Sequence, residues 1–277
     1  MSEQTARRDQ TIRDFSEKWD NFQTNEGYHA SVEWSQEKLG PLINLRADLP
    51  GKRVAEIGSG SGRLIGQLCE CGASFVLALE PSSGGFQALK ENTKAWSDRI
   101  TYLNERGDKL PADADLDIIF SIGVLHHIPD PRPVVDAAWR ALRPGGRMII
   151  WLYGYEGNRA YLCFTLPLRW LTVRMPHAWL TTLSGWLVKL TDVYTFFCRY
   201  LPLPLRHYFV ETFSRFTPER RLVAIYDQLD PRHAKYYTKQ EAMELLRASG
   251  FEDIQIYQYK GYSWSVCGGK PDTNSQS

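Results

Sequence analysis

No uncharged apolar run in this 277-residue chain approaches the roughly eighteen residues a membrane-crossing helix needs, so a spanning segment is not expected. The opening stretch, MSEQTARRDQTIRDF, is polar and has no apolar centre, so a secretory leader is not expected either. An excess of one charge is also missing. Lys and Arg number 33 against 32 Asp and Glu, a formal net charge of +1, and no global field points to nucleic acid or another polyanion. Cysteine is scarce: five residues, an odd number, without framework spacing. Cys69 and Cys71 form a CxC with no second pair of ligands nearby. Reduced thiols in a reducing, cytoplasmic compartment are therefore expected. HxxxH and CxxC are absent, so the expected metal content is none. Aromatic residues are plentiful at 13%, with nine tryptophans, which suits either an apolar binding surface or a rich core.

What is present alternates between strand-like and helix-like segments, the rhythm of a parallel α/β sheet. A polar tail covers residues 1–12. Ile12, Phe15, Trp19 and Phe22 then recur at three- and four-residue steps, predicting an amphipathic helix. Strands are expected at 52–57, 74–80, 100–105, 116–123 and 147–153. Helices are expected at 63–71, 85–95 and 133–142, the last stopped by Pro144-Gly145-Gly146. Thr238 with Glu241 three residues later reads as a capping box opening a helix to Ala248. Two final strands at 251–259 and 262–268, joined through Lys260-Gly261, can only pair antiparallel. The expected domains are an N-terminal helical segment (1–50), a core (51–158), a helical insertion (159–235), a helix and hairpin completing the core sheet (236–270) and a tail (271–277).

The stretch VAEIGSGSGRLI sets an acid, Glu56, just before Gly58, Gly60 and Gly62. Glycine at a strand-to-helix turn lets the backbone approach a ligand closely. A dinucleotide-binding G-x-G-x-x-G fits poorly, because Gly62 comes one place early and Arg63 stands where the last glycine belongs. A phosphate loop would need G-K-[ST], which is absent. The E/D-x-G-x-G-x-G turn of S-adenosylmethionine (SAM) enzymes matches without a gap. The leading carboxylate would repel a pyrophosphate but suits a ligand bearing an ammonium and a sulfonium. About twenty residues later, Ala78-Leu79-Glu80-Pro81 closes the next strand with an acid that can accept from both ribose hydroxyls. The bland alternatives are a glycine turn without a ligand and a solvated strand end.

Four stretches, VAEIGSGSGR, the strand-end Glu80, LDIIFSIGVLHHIPDP and LRPGGRMIIWLYG, together resemble the class I SAM-dependent methyltransferases, particularly those with a methyltransferase-11-like core. The resemblance covers residues 50–153 closely and 238–270 by topology. It implies a Rossmann-like seven-stranded α/β sheet, mostly parallel, with an antiparallel C-terminal hairpin and helices on both faces. It also implies SAM across the carboxyl edge, with S-adenosylhomocysteine as product. By that resemblance Gly58, Gly60 and Gly62 line the methionine part with Glu56 nearby, and Glu80 holds the ribose. Ser59, Arg63 and Pro81 belong to the same cofactor-binding stretches. Ser121, Ile122 and Gly123 run beside the sulfonium. One segment departs from the family pattern. The acid that usually meets the adenine amino group is replaced by Arg106, in NERGDKLP, which leaves the backbone of Arg106 and Gly107, or Asp108, as the alternatives.

Methyl transfer from a sulfonium is an in-line displacement, so a protein mainly aligns the acceptor, excludes water and removes a proton where needed. His126 and His127 follow the fourth strand and are candidate general bases. Being adjacent, they are expected to point to different faces. The alternative is that one packs and the other is solvated. Trp19 and Tyr28 suit a lid over the cofactor or a helix packed at the sheet edge. His233, Tyr236 and Tyr237 suit the acceptor side. Residues 159–221 hold nine Lys and Arg against three Asp and Glu. Trp179, Leu183, Trp186, Leu187 and Leu190 there share one helical face. This insertion reads as a cap over a roomy apolar acceptor or as an element meeting anionic lipid at the inner membrane surface. The expected activity is methyl transfer to oxygen or nitrogen, less readily carbon, of a small or amphiphilic acceptor, with nucleic acid disfavoured. A nicotinamide-dependent reductase, a non-catalytic SAM-binding protein and a membrane-associated scaffold stand as the alternatives.

Overall fold

The computed structural model describes residues 10–13, 16, 19, 25–229 and 233–272. They fall into two compact units. One comprises the described residues of Met1–Asn25, Val32–Gly157 and His233–Ser277; the other comprises those of Glu26–Ser31 and Asn158–Arg232.

The first unit is a seven-stranded sheet. Its strands are β1 (Arg53–Ile57), β2 (Phe75–Leu79), β3 (Ile100–Leu103), β4 (Leu116–Ile122), β5 (Leu142–Tyr153), β6 (Glu252–Tyr259) and β7 (Ser263–Gly269), in the order β3-β2-β1-β4-β5-β7-β6. The pairs from β3 through β5 are parallel, and β7 runs antiparallel to both β5 and β6. The order reverses between β1 and β4. Crossovers leave those two strands in opposite directions, so a crevice opens beyond their carboxyl ends.

Strand periodicity divides the core into two layers. Ile57, Leu79, Ile119 and Leu152 face one side, where they pack with Val135 and Leu246. Val54, Val76, Ile118 and Phe120 face the other, with Leu64, Leu68 and Leu39. Each such side chain stabilises the fold by roughly 1.5–3 kcal/mol on burial. The longer helices of the first unit are α1 (Val32–Leu39), α2 (Arg63–Glu70), α3 (Ser83–Thr93), α4 (Arg132–Ala141) and, after the second unit, α9 (Lys239–Arg247); the second unit holds α5 (Arg159–Thr172), α6 (His177–Tyr200), α7 (Arg206–Glu211) and α8 (Pro218–Leu229). Thr238 and Glu241 form the expected reciprocal capping box at the start of α9. The fifth strand begins earlier than expected. Leu142 already pairs with Leu116, and the Pro-Gly-Gly run lies inside the strand at an irregularity in register rather than in a separate loop.

In the second unit, α6 packs against α5 and α8. Leu180, Leu183 and Leu187 meet Leu168, Ile225, Tyr226 and Leu229. The face expected from the sequence is therefore split: Leu183 and Leu187 are packed, whereas Trp179, Trp186 and Leu190 are exposed. The apolar residues cover more of the helix circumference than its neighbours do.

Candidate functional site at the carboxyl edge of the sheet

The chain leaves β1 through Gly58, Gly60 and Gly62, whose φ angles are +75°, +53° and +82°. That left-handed backbone is strained for other residues. Space is short as well. A Cβ on Gly60 would lie 2.6 Å from Cζ2 of Trp19, and one on Gly58 would lie 2.5 Å from Cγ2 of Val124. The N–H groups of Gly58 and Ser59 both donate to the Leu79 carbonyl, at 2.8 and 2.9 Å. Gly60 N–H donates to Glu80 Oε2 at 2.8 Å. Glu80 Oε1 accepts from the Ser82 N–H at 2.9 Å and from its hydroxyl at 2.5 Å. The glycine turn and the strand-end acid, twenty residues apart at Gly60 and Glu80, are thus joined in space, and Glu80 is held at the end of β2, followed by the partly buried Pro81.

Glu56 is held differently. It is 3% exposed, and among the described residues its Oε2 has no hydrogen-bond partner. Burial pushes its carboxyl up to about 8; the nearby Arg63 pulls it down, and Glu80 adds to the rise. A buried, unsatisfied acceptor costs about 1–3 kcal/mol. The fully buried Ser121 hydroxyl, near the end of β4, also lacks a partner among the described residues. Two orphaned polar groups beside a bare glycine turn are what a zwitterionic, hydroxyl-rich ligand would complete. The residues present fit SAM.

Trp19 lies against the turn at Gly60. Its Cδ1 also approaches within 2.9 Å of where a Gly85 Cβ would stand, beside Ser82 and the Glu80 carboxyl group. Ser16 anchors the same segment: its hydroxyl accepts from Gly84 N–H at 3.0 Å. Phe15 and Phe22, expected on this helix, lie outside the described residues. Asn25 exchanges two hydrogen bonds with Ser61, donating to its carbonyl at 2.8 Å and accepting from its hydroxyl at 2.7 Å. Arg106 binds Asp108 through two contacts of 3.0 and 2.7 Å. Gly107 between them is buried, and a Cβ there would meet Ile57 at 2.5 Å.

A second cluster gathers where β4 and β5 end. The 3-10 turn Leu125–His127 follows Ile122 and Gly123, and buries both histidines. Their rings do not diverge. The centroids are 4.3 Å apart because the tight turn brings both onto Tyr153: His126 stacks on it at 3.9 Å and His127 meets it edge-on at 5.7 Å. Tyr236 stacks on Tyr153 at 5.3 Å. His127 Nδ1 lies 3.0 Å from the His233 carbonyl. Lys235 N–H donates to the His126 carbonyl, and Tyr237 N–H to that of Tyr153, both at 2.8 Å. Tyr237 is itself buried, which pushes its phenol up to about 12. So His126, His127, His233 and Tyr237 are brought together. Tyr28 is not among them; it belongs to the second unit, with the Arg215 guanidinium 3.5 Å from its ring centroid.

Sequence reasoning missed Trp34, Lys38, Trp151 and Tyr153. The buried Lys38 ammonium lies 3.6 Å from the Trp151 ring centroid and 4.2 Å from that of Trp34, and the Arg63 guanidinium is 4.7 Å from Trp34. The available signal was a Trp and a Lys four residues apart on one helix face, which on its own is common. Among the described residues, no group of three or more His, Cys, Asp or Glu side chains is arranged to hold a metal ion.

Residues 55–150 match the Methyltransf_11 family, described as a methyltransferase domain. Among curated proteins, a tRNA U34 carboxymethyltransferase of Hahella chejuensis is 33% identical over 130 residues, covering 45% of this chain and 39% of that protein. The chain spans about two fifths of the length of the relatives bearing that name. Among solved structures, human N-acetylserotonin methyltransferase in complex with SAM has a TM-score of 0.52 at 15% identity, covering 92% of this chain and 56% of that one. The 1,6-didemethyltoxoflavin-N1-methyltransferase of Burkholderia thailandensis, solved with 1,6-didemethyltoxoflavin and S-adenosylhomocysteine, has a TM-score of 0.50 at 18% identity, covering 87% and 82%. These structures share the fold.

Proposed function

Since residues 55–150 are a methyltransferase domain of the Methyltransf_11 family, set in the fold of class I SAM-dependent methyltransferases, we propose that this protein methylates an oxygen or nitrogen of a small or amphiphilic acceptor. The observation that supports this reading most is Glu56: a buried carboxylate with one oxygen unsatisfied, at a turn whose glycines leave room for a ligand backbone. Bound SAM supplies a methyl group already activated by its sulfonium. The chain's own part is to hold and orient. Glu56 offers its charge to the ammonium of the cofactor, and Glu80, fixed by Gly60 and Ser82, offers lone pairs to the ribose. Arg63, whose charge is felt at Glu56, is a cation suited to the cofactor's carboxylate. With Asp108 engaged by Arg106, the backbone at Arg106 and Gly107 is left to read the adenine.

On the acceptor side, His127 is the better placed of the two histidines for a proton. A carbonyl can only accept, so its contact with His233 puts the hydrogen on Nδ1 and leaves the lone pair of the neutral ring on Nε2. The aromatic surfaces of Tyr153, Tyr236 and Trp151 favour an acceptor with a flat or apolar body.

Calorimetry with S-adenosylhomocysteine tests the cofactor assignment. Incubation of a cell extract with labelled SAM, followed by mass spectrometry of its small-molecule, lipid and tRNA fractions, tests the acceptor. Label in small molecules or lipids supports the reading. Label confined to tRNA overturns it in favour of a nucleic-acid acceptor. Binding of a reduced nicotinamide, read by its fluorescence, with no response to S-adenosylhomocysteine would overturn the cofactor itself.

A further inference from the structure

The helical unit departs from the usual distribution of apolar side chains. Among the described residues, the large apolar side chains left exposed all lie between Leu166 and Leu201, with the sole exception of Tyr155. On α6 six of the seven form one stripe, with Phe196 beside it: Trp179, Trp186, Leu190, Val193, Phe197 and Tyr200, spaced by seven, four, three, four and three residues. That spacing keeps them on one side of a helix over about 32 Å. Trp179 is 72% exposed, Trp186 66% and Tyr200 73%. The adjoining side of the same helix, about 100° round, is packed, with Leu180 and Cys198 buried. The end of α5 and the turn after it extend the exposed patch through Trp170, Leu171 and Met175. Isolated exposed apolar residues are ordinary; a continuous aromatic band marks an interaction surface.

Charge indicates what kind. The segment 159–221 carries nine basic and three acidic residues in a chain whose net charge is only +1. Cations also sit within the band itself. The Arg174 guanidinium lies 4.9 Å from the Trp170 ring centroid, and the Lys189 ammonium 4.8 Å from that of Trp186. The acid on α6, Asp192, is paired with Arg221 at 2.8 Å. Tryptophan and tyrosine beside long basic side chains are the residues that settle at a headgroup boundary: rings reach inward and cations reach the lipid phosphates. Among the described residues no helix is long and apolar enough to cross a membrane, so such a helix would lie along the surface. Two copies pressed stripe to stripe would bring these cations toward one another.

We propose that the exposed face of residues 166–201 docks the protein on the surface of an anionic phospholipid bilayer, with α6 in the plane of the headgroups. The occupant is the lipid surface, and the contact is independent of methyl transfer.

The test is flotation of the full chain with vesicles of phosphatidylcholine and phosphatidylglycerol in equal parts, against vesicles of phosphatidylcholine alone. Strong partition into the mixed vesicles is expected, weakened at high salt. Trp186→Glu should lower it about tenfold. Lys189→Glu should lower it about fivefold while sparing the weak binding to neutral vesicles. Nitroxide-labelled lipids should quench the tryptophan fluorescence of the unaltered protein, a readout that requires no variant to fold. S-adenosylhomocysteine binding, read at the glycine turn, is expected to be unchanged in both variants, so failure here and failure of the methyltransferase reading are separable. Absence of flotation and quenching overturns the proposal. So does equal partition into both vesicle types. A wild-type dimer that Trp186→Glu converts to monomer, with no flotation, would assign the face to a second copy instead and also overturn it.

Discussion

The sheet unit buries polar groups that would ordinarily be solvated, and the helical unit exposes aromatic groups that would ordinarily be buried. Glu56, Glu80, Ser121, His126 and His127 are all buried at the carboxyl edge of the sheet, while Trp179, Trp186 and Tyr200 stand mostly in water. Both departures cost stability in an isolated chain. They cost it in opposite currencies: one is an unpaid electrostatic need, the other an unmet apolar one. A small, charged, hydroxyl-bearing cofactor meets the first, and the proposed docking on an anionic lipid surface would meet the second.

Changes at the glycine turn should break the first half most completely. Gly60→Val places a side chain where Trp19 already lies, at a backbone φ of +53°, and weakens the N–H donation to Glu80. Loss of measurable S-adenosylhomocysteine binding in calorimetry is expected, with vesicle flotation retained. Retained binding would move the cofactor away from this turn. Next in size is His127→Gln. If the ring accepts a proton from the acceptor, kcat should fall about a hundredfold. Affinity for S-adenosylhomocysteine should stay within about twofold. A normal kcat would make the histidine a packing residue. Glu80→Ala removes the acceptor of three hydrogen bonds and should weaken cofactor binding by about 1–3 kcal/mol, read by the same calorimetry. A smaller change would mean the ribose lies elsewhere.

These contrasts were unevenly legible in the amino-acid sequence. The glycine turn, Glu80 and the closing hairpin are local patterns: an acid, three glycines, an acid at the next strand's end, and a short connection dictate their own geometry, although the connection runs through Tyr262 as well as Lys260 and Gly261. Their hydrogen bonds also span few elements. Lys38 was not legible, because its ring partner Trp151 is more than a hundred residues away and only the sheet brings them within 3.6 Å. The convergence of His126 and His127 depended on a 3-10 turn that a helix-face argument would misplace. For α6, the apolar pattern was plain, but periodicity says which residues share a face and not which face has neighbours. Leu183 and Trp186 belong to the same pattern and have opposite fates. The salt bridge between Arg106 and Asp108 likewise hid in a segment that simply departed from expectation.

The smallest and most diagnostic change is Glu56→Gln, because it tests why a carboxylate is buried at all. In the folded protein without ligand its carboxyl is pushed up to about 8 by burial, whereas unfolded it returns to about 4.5. Between those values the folded state holds a proton that the unfolded state has lost. Stability must therefore fall as pH rises through this window, and the loss is complete above about 8. The glutamine variant has no such proton, so its melting temperature should exceed that of the wild type by an amount that grows from pH 5 to pH 8. Binding should show the reverse preference. A ligand ammonium favours the carboxylate, so the wild type should release a proton on binding S-adenosylhomocysteine below about pH 8, and its affinity should climb towards that pH. The variant should bind severalfold more weakly at pH 8, with no proton release. Calorimetry repeated in buffers of different ionisation enthalpy measures the proton directly. Binding by the wild type without proton release at pH 6.5 would mean that Glu56 does not face the cation and that its burial serves the turn alone.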